Sequence, residues 1–236
     1  MNDAGNRPAV DATDVALSVV IAAHNAADTI GAQLVALLAQ KCDRAWEIVV
    51  VDNASTDATR AIVTAVSAGH ARVRVVEATH GRGPAYARNV GARAARGRAL
   101  AFCDADDIAG PVWVATMADA LAVHAFVSGP LELARLNAAW LVDSRGSFGT
   151  TGPTRFEDRF PFASSCNLGI HRNVFLDLGG FEESLPVGED IDLSMRLSGR
   201  GTDLTFAPGA VVHYRTSILW NQRVASIRWL LCLTKD

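Results

Sequence analysis

Four short apolar runs alternate with amphipathic segments in the first hundred residues, and this pattern limits the fold more than any other feature. The runs carry almost no polar residues, which is typical of strands buried on both faces. The segments between them place apolar residues at helical spacing, as Ile30, Leu34 and Leu37 do. A β-α-β-α-β-α-β order predicts an α/β protein with a parallel sheet. The predicted strands are 17–23, 47–52, 73–78 and 98–103.

Later elements are less clear. We expect a helix from Pro111 to Leu121, a strand and turn in HAFVSGPLEL, and a loop over 138–165, where no period is visible. A strand, a short helix, a GGF turn and a second helix follow, and one or two late strands lie in LTFAPGAVVHYR. With no clear linker, we predict one domain at 17–216, between a flexible leader (1–16) and an amphipathic C-terminal segment (217–236).

Composition excludes several classes of protein. The net charge is -3 and no basic run dominates the sequence, so we expect no nucleic-acid partner. The four cysteines are scattered without a CxxC pair, which argues against a disulfide framework or a zinc site. No apolar run approaches the ~20 residues that cross a bilayer. We therefore expect a cytoplasmic protein.

Polar residues follow the ends of three predicted strands. His24 and Asn25 follow the first, Asp52 and Asn53 end the second, and aspartates from Asp104 end the fourth. Ligands of parallel sheets bind beyond the carboxyl ends of the strands. This edge of the sheet is therefore the predicted site.

The stretch AFCDADDIAG places Asp104, Asp106 and Asp107 within four positions, where they repel one another unless a cation is present. DxD on an extended segment directs two carboxylates to one side, where both could face Mg or Mn. The alternative is a turn that caps the next helix, and this is the role we expect for Asp107.

Other candidate residues each have an ordinary structural alternative. Asp190 or Glu189 could act as a general base, or both could simply favour a helix N-terminus. Arg88 and Asn89 could bond across the site or only pair on a helix surface. His213 could bind a metal or be structural. HGRGPAYARNVG lacks the third glycine of a dinucleotide fingerprint and follows the third strand, so we expect no nicotinamide cofactor.

Taken together and in order, six segments resemble the inverting GT-A glycosyltransferases of family 2, from Leu17 to about Tyr214. The segments are LSVVIAAHNAADTI, EIVVVDNASTDAT, GPAYARNVGARAARG, ALAFCDADD, NLGIHRNVFLDLGGFEE and GEDIDLSMRL.

The resemblance implies a GT-A fold: a single Rossmann-like domain with a mostly parallel central sheet flanked by helices. Residues 17–110 would be the nucleotide-binding half and 111–216 the acceptor-binding half. The implied activity is transfer of a sugar from a nucleoside-diphosphate sugar, with a UDP-sugar as the favoured donor. The transfer would invert the anomeric configuration and use Mn or Mg as cofactor. The acceptor class stays open among a glycan, a glycolipid, a peptide and a small molecule.

The resemblance also implies roles for individual residues. Asp190 would be the catalytic base, and Asp106 a metal ligand that His213 completes. The substrate-binding set would be Ala22 and His24 at the nucleobase, Asp52 and Asn53 at base and ribose, Asp104 at ribose or metal, Asn167 in the donor-sugar and acceptor pocket, and Arg88 and Glu189 beside them.

The chain departs from the family pattern in two places. The family commonly has a proline and a tyrosine where this chain has Ala22 or Ala23 and His24, which leaves the nucleobase open. The QxxRW motif that accompanies polymer synthesis is absent, which favours transfer of a single sugar. The segment ILWNQRVASIRWLLCLTKD could rest on a membrane surface at the inner face of the cell membrane or pack as an amphipathic helix.

Two other functions compete with this interpretation. A nucleotidyltransferase that makes sugar nucleotides would follow its first strand with a Gly-rich cationic loop, whereas this chain has AAHNAADT there. A nucleotide-sugar-binding protein without catalysis would not need the DxD and ED motifs. The sequence does not indicate an oligomeric state.

Overall fold

The computed structural model describes residues 15–145, 149–157 and 159–216. Helices and strands alternate through the first half, and the second half is more irregular. In chain order the elements are β1 (Leu17–Ala23), α1 (Ile30–Leu38), β2 (Trp46–Asp52), α2 (Thr59–Gly69), β3 (Val73–Glu77), α3 (Pro84–Ala94), β4 (Ala99–Asp104), β5 (Ile108–Ala109), α4 (Trp113–Ala120), β6 (Phe126–Ser128), β7 (Leu131–Glu132), α5 (Ala139–Arg145), β8 (Thr154–Phe156), β9 (Phe160–Phe162), β10 (Asn167–His171), α6 (Arg172–Asp177), α7 (Glu189–Ser198), β11 (Thr205–Phe206) and β12 (Val212–His213).

The central sheet has seven strands in the order β11-β6-β10-β4-β1-β2-β3. The four strands predicted from the sequence form its parallel part, with Leu17 paired to both Trp46 and Ala99. β10 enters antiparallel between β4 and β6, and β11 lies parallel to β6. The prediction of a mostly parallel sheet flanked by helices is confirmed.

Both faces of the sheet are buried, which explains why its strands show no polar alternation. Val19 and Ile21 pack on one side, with the apolar faces of α1, α2 and α4. Val20 packs on the other side, with α3, α6 and α7. Burial of apolar area on two sides is the main favourable term that holds such a sheet together.

Helix α3 lies unusually close to the sheet because of a glycine. A Cβ atom at Gly91 would lie 2.4 Å from Cγ1 of Val20 and 2.7 Å from Cγ2 of Val51. Only glycine therefore fits at this position. This close packing holds α3, which carries Arg88, against the sheet.

A second sheet ties the aspartate segment to the late part of the chain. β12 lies between β5 and β7, with Val212 paired to Ala109 on one side and to Leu131 on the other. The residues that follow β12 are thereby held beside the aspartates that precede β5.

The structure corrects two of the predictions made from the sequence. Helix α4 begins at Trp113 and not at Pro111. The prediction of a loop over 138–165 is wrong, because α5, β8 and β9 lie there. These elements have seven, three and three residues, too few to show a period in the sequence.

The predicted C-terminal segment 217–236 and nearly all of the predicted leader lie outside the described residues. Within the described ranges, no helix combines the length and the apolar character needed to cross a membrane.

Candidate active site

A cavity of about 950 Å³ opens at the carboxyl ends of β1 and β4, where the sequence predicted a site. Its walls come from these strand ends, from the starts of α3 and α7, and from the β8–β9 hairpin. A cavity of this size fits a ligand such as a nucleotide. Eight predicted site residues line it: Ala22, His24, Asn53, Arg88, Asp104, Asp106, Glu189 and Asp190.

Arg88 joins the two acidic motifs across this cavity. Its Nη2 donates to Oδ1 of Asp104 at 2.6 Å, and its Nη1 donates to Oε1 of Glu189 at 3.0 Å. The side chain is 4% exposed, so it does not pair on the helix surface. Burial opposes its charge, but the carboxylates of Asp104 and Glu189 outweigh this and raise the pKa of the guanidinium above its ordinary value.

The segment that carries the aspartates is held at both ends by one glutamine. Nε2 of the fully buried Gln33 donates to the backbone carbonyl of Asp104, and its Oε1 accepts from the backbone N–H of Ala109. Gln33 lies on α1, far away in sequence, and its apolar surroundings gave no signal of this role. The carboxylates are thus presented on a fixed backbone.

The three aspartates differ in environment. Asp104 pairs with Arg88, and Asp106 lies at the cavity wall, where burial and the charge of Asp104 raise its pKa to about 6. Asp107 is 1% exposed. Burial, with the charges of Asp104 and Asp106, raises its pKa well above the ordinary range.

The prediction that Asp107 caps the next helix is wrong. Val112 occupies the N-cap position of α4, and Oδ1 of Asp107 instead accepts from the backbone N–H of Arg215 at 2.7 Å. Asp107 therefore fixes the chain after β12 beside the DxD motif. The pairing of β5 with β12 explains this, and that long-range contact could not be read from the sequence.

The donor atoms at this end of the cavity fit a divalent cation. Carboxylate oxygens are the ligands that Mg and Mn prefer, and Oδ2 of Asp107 is buried without a hydrogen-bond partner. Asp104, Asp107 and Cys166 each offer an atom within 4.8 Å of the others. Burial and the nearby carboxylates raise the pKa of Cys166 well above its usual range, so this residue is a neutral thiol. Such a soft group is a poor ligand for Mg or Mn.

Asp190 is the second residue of α7, whose N-cap residue Gly188 adopts a left-handed conformation with φ of 85°. Its Oδ2 accepts from the backbone N–H of Ser165 at 3.2 Å, and its Oδ1 accepts from the N–H of Ile191. Burial and the charge of Glu189 nevertheless raise the pKa of Asp190 to about 7. A carboxylate with this pKa is suited to taking up a proton near neutral pH.

The first loop of the site is tied to the second. Nδ1 of His24 lies 2.7 Å from the backbone carbonyl oxygen of Asn53, and Oδ1 of Asn25 accepts from the N–H of Thr56. The amide of Asn53 donates to the carbonyls of Ala78 and Gly81 and accepts from the N–H of Gly83. Asn53 thus shapes the loop before α3, while the ring of His24 borders the cavity.

Three predicted site residues do not line the cavity. Asn167 is 1% exposed and bonds to Nε1 of Trp113 and to the carbonyls of Pro130 and Ala210. It connects three segments of the chain through these bonds. Asp52 is also buried, and its Oδ1 accepts from the N–H of Ser55 at 3.4 Å, a contact typical of an Asx turn.

His213 is the third predicted site residue that does not line the cavity. Its Nδ1 lies 2.7 Å from Oε2 of Glu132 on the neighbouring strand. Histidines that bind metals commonly contact a carboxylate through the second ring nitrogen, so this contact leaves Nε2 as the atom for a cation. The following residues, Tyr214 and Arg215, do line the cavity.

Sequence reasoning missed several residues at the site. Ser165 donates its backbone N–H to Asp190 and its hydroxyl to Oε1 of Glu189 at 3.3 Å. Arg82 and Arg155 add cations to the cavity wall. Arg82 lies in the GRG stretch, which lacks the third glycine of a dinucleotide fingerprint, and Arg155 lies in the predicted loop, so neither gives a usable signal in the sequence.

Known proteins are similar to this chain in sequence and in fold. The profile described as Glycosyl transferase family 2 matches residues 18–179. Succinoglycan biosynthesis protein ExoO of Rhizobium meliloti is 34% identical over 227 residues, which cover 89% of this chain and 64% of that protein. The Escherichia coli UDP-Glc:alpha-D-GlcNAc-diphosphoundecaprenol beta-1,3-glucosyltransferase WfgD is 35% identical over 102 residues, 43% of this chain and 38% of WfgD. This chain thus spans less than two thirds of either relative.

Among solved structures, the mannosyltransferase PcManGT from Pyrobaculum calidifontis, in complex with GDP-Man and Mn²⁺, superposes with a TM-score of 0.65 at 26% identity. The superposition covers 92% of this chain and 63% of PcManGT. The fold predicted from the sequence is therefore confirmed as GT-A. On the extent of the profile match, the chain belongs to glycosyl transferase family 2.

Proposed function

We propose that this protein transfers a single sugar from a nucleoside-diphosphate sugar to an acceptor hydroxyl, with inversion at the anomeric carbon. Asp190 is the general base of this proposal, and a divalent cation is its cofactor. The observation that carries it is the Arg88 bridge, because one buried side chain holds the DxD and ED motifs on the same cavity.

Asp190 has the environment that a base needs. It faces the cavity, and its raised pKa of about 7 gives its carboxylate a higher proton affinity than an ordinary aspartate has. Two backbone N–H groups, of Ser165 and Ile191, fix its orientation. In the proposed step, Asp190 takes the proton of the acceptor hydroxyl while the hydroxyl oxygen bonds to the anomeric carbon and the bond to the diphosphate breaks.

Asp104 and Asp106 would hold the cation, with His213 as a further ligand. When bound, Mn or Mg would neutralise negative charge on the departing diphosphate. Arg82, Arg155 and Arg215 line the same cavity and can contact phosphate oxygens. The presence of Mn²⁺ with GDP-Man in the PcManGT complex supports this assignment.

The donor is proposed to be a UDP-sugar. The name of WfgD specifies UDP-Glc as donor and a lipid diphosphate as acceptor, whereas PcManGT was crystallised with GDP-Man. His24 borders the cavity beside the loop of Asn53, and its ring can stack on a base or donate to it. For the acceptor, WfgD supports a lipid-linked saccharide, and we propose this class before peptides and small molecules.

The competing function is synthesis of a sugar nucleotide by nucleotidyl transfer. One experiment distinguishes this function from sugar transfer. The protein is incubated with Mn²⁺ and either a panel of UDP-, GDP- and TDP-sugars together with lipid-linked saccharide acceptors, or a nucleoside triphosphate with a sugar 1-phosphate. We expect nucleoside diphosphate release from one of the sugar nucleotides, and its loss in EDTA. Release of pyrophosphate from the triphosphate would contradict the proposal, and binding of a sugar nucleotide without turnover would indicate a binding protein.

A further inference from the structure

A cluster of two carboxylates and one thiol overlaps the DxD motif. Asp104, Asp107 and Cys166 each place one oxygen or sulfur atom within 4.8 Å of the other two. The sequence argued against a zinc site because its four cysteines are scattered. The fold nevertheless brings one of them to the aspartates: Asn167 of β10 is paired with Cys103 of β4 in antiparallel register, so Cys166 comes next to Asp104.

One oxygen of Asp107 has no role in the packing around it. Oδ1 accepts from the backbone N–H of Arg215 at 2.7 Å, whereas Oδ2 is buried and has no hydrogen-bond partner among the described residues. The side chain is 1% exposed, so bulk water does not solvate this oxygen. A buried polar atom without a partner is costly, and a bound ion is one arrangement that satisfies it. A cation between Asp107 and Cys166 would do so.

The cluster can be reached from the cavity. Asp104 and Cys166 both line the cavity, although Cys166 is only 5% exposed. Oδ1 of Asp104 accepts from Arg88, which leaves Oδ2 of Asp104 as the oxygen for a cation. A zinc ion with three protein ligands takes a water as its fourth ligand, and the cavity gives that water a place.

The sulfur atom decides which ion suits this cluster. Zn²⁺ bonds to cysteine thiolate at about 2.3 Å and to carboxylate oxygen at about 2.0–2.2 Å, whereas Mg²⁺ and Mn²⁺ prefer sites made of oxygen ligands. When the zinc–sulfur bond forms, the thiol proton of Cys166 leaves to solvent, because only the thiolate is a ligand. The cluster therefore differs in preference from the cofactor site proposed at Asp106 and His213.

We propose that Asp104, Asp107 and Cys166 form a zinc site through which Zn²⁺ inhibits this protein. The binding of zinc stands on the cluster alone, and the inhibition rests on the proposed function. Asp104 belongs to both ligand sets, so a zinc ion on Asp104 removes a ligand from the cofactor and places a second positive ion beside it. The two ions then compete, because like charges at this distance repel.

Co²⁺ is the spectroscopic probe of this site, because a cobalt–thiolate bond gives an intense charge-transfer band in the near ultraviolet. The full chain, with its cysteines kept reduced, is titrated with Co²⁺ and then with Zn²⁺. We expect the band to appear, to disappear as Zn²⁺ replaces Co²⁺, and to be absent in Cys166→Ser. Cys42→Ser is the matched control and should keep the band, because Cys42 lies outside the cluster.

The carboxylate ligand is tested by Asp107→Asn, whose side-chain oxygen can still accept from the N–H of Arg215. Zn²⁺ affinity, measured by competition with a chromophoric chelator, should fall by about tenfold or more in D107N and in C166S. Circular dichroism reports whether each variant remains folded. A cobalt band that persists in C166S, or a Zn²⁺ affinity that neither variant changes, would overturn the proposal.

Competition between the ions is measured separately from turnover. Free Mn²⁺ is followed by electron paramagnetic resonance in a solution of the protein, Mn²⁺ and UDP, to which Zn²⁺ is added. One equivalent of Zn²⁺ should release Mn²⁺ and slow sugar transfer in the wild type, with at least about tenfold more Zn²⁺ needed in C166S. Equal release in both proteins would place zinc on the DxD motif alone and overturn the proposal. If no Mn²⁺ binds, the proposed cofactor is wrong, and the cobalt band still decides the zinc site.

Discussion

Arg88 donates to Asp104 at 2.6 Å from a side chain that is 4% exposed, so the DxD motif is paired with a buried cation even without metal. The positive charge of Arg88 offsets part of the negative charge of three aspartates that lie within four positions. It neutralises part of the repulsion. Burial, together with the charges of the neighbouring aspartates, still raises the pKa values of Asp106 and Asp107. The same guanidinium donates to Glu189, so the positions of the DxD and ED motifs depend on each other.

Arg88→Ala should destabilise the protein by about 3 kcal/mol, because removal of one partner from a buried ion pair leaves charge uncompensated. Urea unfolding measures this change. The matched control is Arg44→Ala, which removes an ion pair with Asp119 at the surface, where side-chain exposures are 44% and 72%. We expect less than about 1 kcal/mol there. Equal losses of unfolding free energy in the two variants would show that the Arg88 ion pairs stabilise the protein no more than a surface ion pair does.

Asp190→Asn should lower the transfer rate by about 10³-fold, because the amide cannot take the acceptor proton. Donor affinity, measured by calorimetry, should remain within about twofold, since Asp190 acts on the acceptor. Asp192→Asn is the control: Asp192 lies in the same helical turn but pairs with Arg196, and it does not line the cavity. Transfer at the wild-type rate in D190N would remove Asp190 from the base role.

The pH dependence follows from the same residue. Because the pKa of Asp190 is raised to about 7, its active, deprotonated form is in the minority at pH 6 and predominates at pH 8. We expect kcat/KM to rise about tenfold per pH unit below pH 7 and to level off above it. A rate that is constant from pH 5 to pH 8 would contradict this assignment.

The two possible metal ligand sets can be separated by titration with Mn²⁺, followed as an increase in melting temperature. Asp106→Asn and His213→Ala should each weaken Mn²⁺ binding by about tenfold or more, as loss of a ligand does. Cys166→Ser should change it less than about twofold, because the neutral thiol is a poor ligand for this metal. Stronger weakening in C166S than in D106N would favour the Asp104, Asp107 and Cys166 set.

The parallel half of the fold was predictable from the sequence because its signals are local. β1 was predicted residue for residue, and the other three strands within two residues, since strands buried on both faces form unbroken apolar runs. The position of the site followed from the polar residues after these strands.

Contacts between distant segments could not be predicted in this way. Asp107 accepts from the backbone N–H of Arg215, 108 positions away, and Gln33 on α1 donates to the backbone carbonyl of Asp104. Asn167 matches a family motif, but its amide connects buried segments instead of lining the cavity. Motif matching identifies residue types, whereas the direction of each side chain depends on the register of strands such as β12.

The anomeric configuration of the first product tests the central claim most directly. Proton NMR spectra are recorded during turnover of the sugar nucleotide that supports diphosphate release, and the coupling constant of the new anomeric proton is read before equilibration. A single displacement, with Asp190 acting on the incoming hydroxyl, predicts a β product from an α-linked donor, formed about 10³-fold more slowly by D190N. An α product would show retention and would contradict the proposed mechanism.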